Sequence, residues 1–72
     1  MAYSIYQAPD VVPTQLESAV LQCTVMRWDG DIEHKRYRND AVEKGWLARH
    51  NGFTVITPEG IKMLLARGLI RA

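Results

Sequence analysis

The Asn51-Gly52 pair, set between two short runs of strand-forming residues, is the feature that most limits what this chain can fold into. Asparagine and glycine both tolerate a positive φ angle, so an Asn-Gly pair is typical of a two-residue β-hairpin turn. The flanking runs are residues 46–49 and 53–57, and we expect them to pair as the two strands of a hairpin.

A helix is predicted directly after the hairpin, over residues 58–67. Thr57 is a suitable N-cap, Pro58 fits the first helical position, where no N–H is needed, and Glu59 complements the positive end of the helix. Its apolar stripe is Ile61, Leu64 and Leu65, and its expected C-terminal cap is Gly68 with Leu69 in contact with Leu64.

Another helix is predicted over residues 14–26. Thr14 and Glu17 have the spacing of a capping box, in which each side chain bonds the backbone N–H of the other residue. The apolar positions that follow have helical spacing, and Cys23 lies among them. We interpret this cysteine as a small core residue, because free cysteines are usually buried.

The segment between these helices begins with a turn at residues 28–31. The Asp29-Gly30 pair predicts a solvated turn with Gly30 at positive φ. Its acidic residues do not predict a calcium site, because the glutamate that such loops place at their twelfth position is missing.

A short basic helix is predicted next, near residues 38–45. Asn39 or Asp40 would be its N-cap, Ala41 and Val42 give it an apolar side, and Gly45 would end it in the left-handed conformation.

These elements predict one small α+β domain, residues 14–72, preceded by an N-terminal arm, residues 1–13. The expected core is Leu16, Ala19, Val20, Cys23, Val42, Leu47, Val55, Ile61, Leu64 and Leu65. No apolar run is long enough to span a bilayer, and the first ten residues do not have the pattern of a signal peptide. With a single cysteine, the chain is expected to be cytoplasmic.

Charge is distributed unevenly along the chain. Residues 1–33 contain one basic and five acidic residues, a net charge of −4, whereas residues 34–72 contain eight basic and three acidic residues, a net charge of +5. Such a division favours a basic face that attracts nucleic acid or acidic proteins. The alternative is that the two halves pack together and their charges pair.

The run from Val42 to Ile70 resembles the winged helix-turn-helix superfamily, in particular MarR-like repressors and small phage or bacterial regulators. The matching pieces are the sequence Glu-Lys-Gly-Trp-Leu at 43–47, the hairpin, and the sequence Thr-Pro-Glu-Gly at 57–60. The resemblance implies a two-stranded hairpin as the wing and a recognition helix that ends at Gly45. A complete helix-turn-helix needs two helices before the wing, and only 16 residues separate Trp28 from Gly45.

The first functional hypothesis is therefore binding of double-stranded DNA, as a small transcriptional regulator. A recognition helix over residues 35–44 would read base edges with arginine and asparagine and neutralise phosphates with lysine. The candidate DNA-binding residues are Lys35, Arg36, Tyr37, Arg38, Asn39 and Lys44 on the helix and Arg49, His50 and Asn51 on the wing.

The second hypothesis is a protein-interaction module, with a homodimer or another protein as partner. A chain this short gains stability from a partner, and Tyr3, Ile5, Tyr6 and Trp28 are candidate contacts. Catalysis is not expected, because the chain has no recognisable nucleophile, phosphate-loop or metal-ligand motif. No cofactor and no metal are predicted.

Overall fold

The structure is a computed structural model that describes residues 11–71, and in this range it is a small α+β domain of three α-helices and a three-stranded antiparallel sheet. In chain order the elements are α1 (Gln15–Gln22), β1 (Arg27–Trp28), a single 3-10 turn (Asp29–Asp31), α2 (Lys35–Glu43), β2 (Leu47–His50), β3 (Phe53–Ile56) and α3 (Pro58–Ala66). Most of the predicted arm lies outside the described residues, and so do Tyr3, Ile5 and Tyr6.

Helix α1 begins as predicted and ends early. The capping box is present, with Thr14 N donating to Glu17 Oε1 at 2.9 Å and Glu17 N donating to Thr14 Oγ1 at 3.1 Å. The helix ends at Gln22, four residues before the predicted end, because the carbonyl of Cys23 accepts a hydrogen bond from Ile56 N at 2.9 Å. The chain is thereby redirected into β1.

Helix α2 begins at Lys35, so the prediction that Asn39 or Asp40 caps it is wrong. Its C-terminal end is as predicted, with Gly45 at φ 82° and Trp46 N donating to Ala41 O at 2.9 Å. Helix α3 ends with the same geometry, since Leu69 N donates to Leu64 O at 2.9 Å.

Thr57 connects the end of α2 to the start of α3. Its hydroxyl accepts from Gly60 N at 3.1 Å, as expected of an N-cap, and also donates to Gly45 O at 2.5 Å. Gly60 is buried against the connection between α2 and β2, where an added Cβ would collide with the carbonyl oxygen of Trp46. The Thr-Pro-Glu-Gly sequence thus combines a cap with a close backbone approach.

The hairpin turn has the predicted form. Asn51 and Gly52 have φ angles of 50° and 83°, and His50 pairs directly with Phe53. Strand β2 starts one residue later than predicted, and the sheet has a third strand, β1, which pairs with β3. The predicted two-stranded hairpin is therefore part of a larger sheet, in the order β1-β3-β2.

The 3-10 turn differs from the predicted solvated turn. Gly30 is not among the described residues with positive φ. Instead it lies against the indole ring of Trp28, where a Cβ would be too close to the ring carbons. The glycine is needed for this approach rather than for its backbone angle.

The two faces of the sheet differ in burial. Residues that pair directly in an antiparallel sheet share a face, so Arg27, Thr54 and Arg49 lie in one row and Trp28, Phe53 and His50 in the row on the opposite face. On the first face, Thr54 and Leu47 are buried and Ile56 is half-buried, whereas Trp28, Phe53 and His50 are exposed, and so the first face covers the core.

Half of the predicted core residues are buried in the structure. These five are Ala19, Val20, Cys23, Leu47 and Leu64. Leu16, Val42, Ile61 and Leu65 are half-buried and pack against the core, and Val55 is half-buried. The core also contains Ile32, Ala41, Leu69 and Ile70, which the prediction omitted. Among residues 11–71 the structure has no helix that is long and apolar enough to span a membrane.

Candidate nucleic-acid interface

The first turn of α2 exposes two of the predicted cationic residues. Lys35 and Arg36 are exposed, and Lys35 Nζ donates to the carbonyl of Ile32 at 3.2 Å. The Arg36 guanidinium lies 4.9 Å from the centroid of the Tyr37 ring and donates to its hydroxyl at 2.9 Å. A cation held over an aromatic ring keeps its charge and its remaining donors. This turn therefore presents two positive charges to the surroundings.

The middle of α2, unlike its first turn, carries a buried arginine. Arg38 is only 3% exposed, on the same face of the helix as the buried Ala41. Its Nη1 donates to Asp29 Oδ1 at 2.9 Å and to Thr54 Oγ1 at 3.3 Å, and its Nε donates to Asn39 Oδ1 at 2.7 Å. A guanidinium bonded in this way is not available to a base edge, so we remove Arg38 from the candidate DNA contacts.

The end of α2 carries both signs of charge. Lys44 is exposed, with its Nζ 5.7 Å from the centroid of the Trp46 ring. Asp40 and Glu43, which share this part of the helix, are also exposed. The positive potential of α2 is therefore expected to be strongest at its first turn.

The Asp29 carboxylate joins α2 to the sheet. Its Oδ1 accepts from Arg38 and from Thr54 Oγ1, the latter at 2.7 Å, and its Oδ2 accepts from Arg49 Nη2 at 2.5 Å. The side chain of Asp29 is 14% exposed, so the sequence interpretation of a solvated turn is wrong for this residue. The hydrogen bonds from Arg49 and then Thr54 lower the pKa of Asp29 below its ordinary value. We refer to Asp29, Arg38, Arg49 and Thr54 as the Asp29 cluster.

The hairpin turn carries the other predicted wing residues. His50 and Asn51 are exposed, with Asn51 Nδ2 3.3 Å from His50 Nε2. Arg49 lies in the row of the sheet that faces the core, and half of its side chain is exposed. The Asp29 cluster thus brings Arg49 close to α2, whereas His50 belongs to the opposite face of the sheet.

Asp29 and Thr54 were missed as members of the site. The alternation of residues along β3 places Thr54 on the buried face of the strand. A threonine at that position does not, however, predict a bond to a charged side chain. For Arg38 a signal was present, because its spacing to Ala41 and Val42 is that of the apolar side of the helix.

Two other ionisable groups, Glu17 and Cys23, have contacts that stabilise the fold and do not belong to the candidate interface. Glu17 accepts from Arg67 Nε at 2.5 Å, which connects the start of α1 to the end of α3 and lowers the pKa of Glu17. Burial raises the pKa of the Cys23 thiol, in keeping with a core residue. Within residues 11–71, no three His, Cys, Asp or Glu residues are grouped in a way that would hold a metal ion.

Comparison of the chain with models of protein families, with curated proteins and with solved structures finds no match.

Proposed function

We propose that this chain is a cytoplasmic DNA-binding protein of winged-helix type, a small transcriptional regulator that places the first turn of α2 against duplex DNA. The order of its elements, with a hairpin directly after a short basic helix, is compatible with that layout. The single 3-10 turn at Asp29–Asp31 stands where a helix-turn-helix has its first helix.

One observation carries the proposal: Asp29 bonds both α2, through Arg38, and the hairpin, through Arg49, so the hairpin arginine lies beside the helix that carries the exposed cations. In helix-turn-helix proteins, the N-terminal residues of the recognition helix contact base edges. We assign Arg36 and Asn39 to base edges, and Lys35 with the Tyr37 hydroxyl to phosphates. Lys44 and Asn51 would contact the DNA backbone at the two ends of this surface. His50 lies on the opposite face of the sheet from Arg49, so we assign it no DNA contact.

The test is fluorescence anisotropy between 50 and 200 mM salt, with random-sequence duplex DNA and with defined duplexes that differ at single positions. Lys35→Ala should weaken binding to all sequences alike and make the log–log salt slope less negative by about 0.9, the effect of one lost phosphate contact. Arg36→Ala should instead relax the preference at one base position by about 1–3 kcal/mol. The matched control is Lys62→Ala, which removes the same charge from an exposed position on α3. Equal effects of Lys35→Ala and Lys62→Ala would contradict the assignment of α2 as the binding surface.

A second candidate function is protein interaction, and a specific group of exposed residues favours it. Val25, Met26, Trp28 and Phe53 are 73%, 56%, 56% and 41% exposed, and all lie on β1, next to it or on its partner strand. Trp28 pairs directly with Phe53, and exposed apolar neighbours of this kind are typical of interfaces.

The discriminating experiment combines DNA binding with sedimentation. The second function would be favoured if the protein does not bind duplex DNA at 50 mM salt and self-associates, and if Trp28→Ser abolishes the self-association. A monomer that binds duplex DNA would favour the first.

A further inference from the structure

The hairpin carries a single Lys or Arg residue, Arg49, and this residue is already bound to an anion. Arg49 Nη2 donates to Asp29 Oδ2 at 2.5 Å, while half of the Arg49 side chain remains exposed. A carboxylate and a phosphate offer a guanidinium the same kind of charged acceptor. In the free protein, Asp29 thus supplies Arg49 with the same kind of acceptor that a phosphate would offer.

The other bonds of Asp29 fix its position independently of Arg49. Its Oδ1 accepts from Arg38, whose side chain is 4% exposed, and from Thr54, which is fully buried. The backbone N–H of Asp29 donates to the carbonyl of Gly52 at 2.9 Å. The bond to Arg49 is the only one in the Asp29 cluster made with a half-exposed side chain, so it can be exchanged while the rest of the cluster stays in place.

We propose that Asp29 is a positioning residue that holds Arg49 in the free protein and gives it up to a DNA phosphate on binding. This inference rests on the proposed function. A phosphate contact by Arg49 must replace an existing ion pair, so Asp29 lowers the affinity of the hairpin for any phosphate. Only a duplex that is also bound by α2 brings a phosphate close enough to compete.

Asp29→Asn is the direct test, measured by anisotropy with the same duplex DNA. The amide keeps an oxygen acceptor for Arg38 and Thr54 but has no charge to hold Arg49. Binding should become tighter, and the log–log salt slope should become more negative by about 0.9, which corresponds to about a 3.5-fold larger loss of affinity between 50 and 200 mM salt.

Asp31→Asn is the matched control, because it removes the same charge from an exposed position in the same 3-10 turn. If Asp29 acts only by repelling DNA phosphates as any carboxylate would, both variants should bind DNA equally more tightly than the wild type. That result would overturn the inference while leaving the proposed function in place. The tighter binding of Asp29→Asn should also disappear when Arg49→Ala is introduced. If neither the wild-type protein nor Asp29→Asn binds duplex DNA, the inference and the proposed function both fail.

A measurement on the wild-type protein covers the case in which Asp29→Asn does not fold. In an NMR titration with duplex DNA, the side-chain carboxyl carbon of Asp29 and the Nε of Arg49 should shift together as the ion pair opens. A shift of Arg49 with an unchanged Asp29 carboxyl signal would mean that Arg49 contacts DNA without leaving Asp29, and would overturn the inference.

Discussion

The carboxylate of Asp29 accepts hydrogen bonds from side chains 9, 20 and 25 residues further along the chain. Such a group has very different surroundings in the folded and unfolded protein, because the unfolded chain does not hold these donors around it. Glu17 is comparable, since its main partner Arg67 is 50 residues away. Both carboxyl groups therefore make the stability depend on pH.

Acid should destabilise the protein through these two residues. Their pKa values are lower in the folded state than in the unfolded state, where they are about 3.9 for Asp and 4.3 for Glu. The stabilisation is therefore complete above those unfolded values and is lost as pH falls through the lower folded values. Urea unfolding from pH 7 to pH 2 should show this decrease, and Glu17→Gln should make it shallower. A Glu17→Gln protein with the same pH dependence as wild type would mean that its contact with Arg67 does not persist in solution.

At the scale of elements, the hairpin depends on its two turn residues. Both have positive φ, the requirement of the turn type that suits the twist of two paired strands. Because β3 is the central strand of the sheet, an error in the turn would affect its pairing with β1 as well as with β2.

Gly52→Val should strain the hairpin by about 1–2 kcal/mol, since a β-branched residue is unfavourable at the φ of 83° found there. Urea unfolding measures the loss, and amide signals of residues 47–56 report the pairing. Asn51→Gly is the control, because glycine takes the φ of 50° at that position without strain. Unchanged hairpin signals in Gly52→Val would show that the turn in solution is not the tight one.

At the scale of the whole molecule, the acidic first half and the basic second half of the chain pair with each other. Glu17 bonds Arg67, and Asp29 bonds Arg38 and Arg49. The alternative raised by the charge distribution is thus correct for these residues. It removes Arg38 from the basic surface, whereas Lys35 and Arg36 in the first turn of α2 stay exposed.

The core is small, so a single truncation should be costly. Leu64 is fully buried, and its carbonyl caps α3 through Leu69 N. Leu64→Ala should reduce the free energy of unfolding by about 2–5 kcal/mol, which is a large part of the total for a domain of this size. Leu65→Ala, at the neighbouring half-buried position, should cost less. Thermal unfolding of both variants tests the packing of α3. Equal losses of stability in the two variants would contradict the burial of Leu64 in the core.

Features that depend on neighbouring residues could be predicted from the sequence. The capping box of α1, the Asn-Gly turn, the start of α3 at Thr57 and the glycines that end α2 and α3 all follow from local hydrogen bonds and backbone angles. The start of α2 at Lys35 did not follow in this way, because its N-cap residue, His34, makes no side-chain capping hydrogen bond.

Features that depend on distant partners could not be predicted, because contacts between residues far apart in the chain form only in the folded protein. Strand β1 has two residues and exists because β3 offers it an edge, and α1 ends early because Ile56 bonds the carbonyl of Cys23. Arg38 is buried because Asp29 and Thr54, which are distant from it in sequence, satisfy its donors where water cannot. The spacing of Arg38 to Ala41 and Val42 indicates the side of the helix on which it lies, but no local pattern identifies the distant partners that allow an arginine to be buried there.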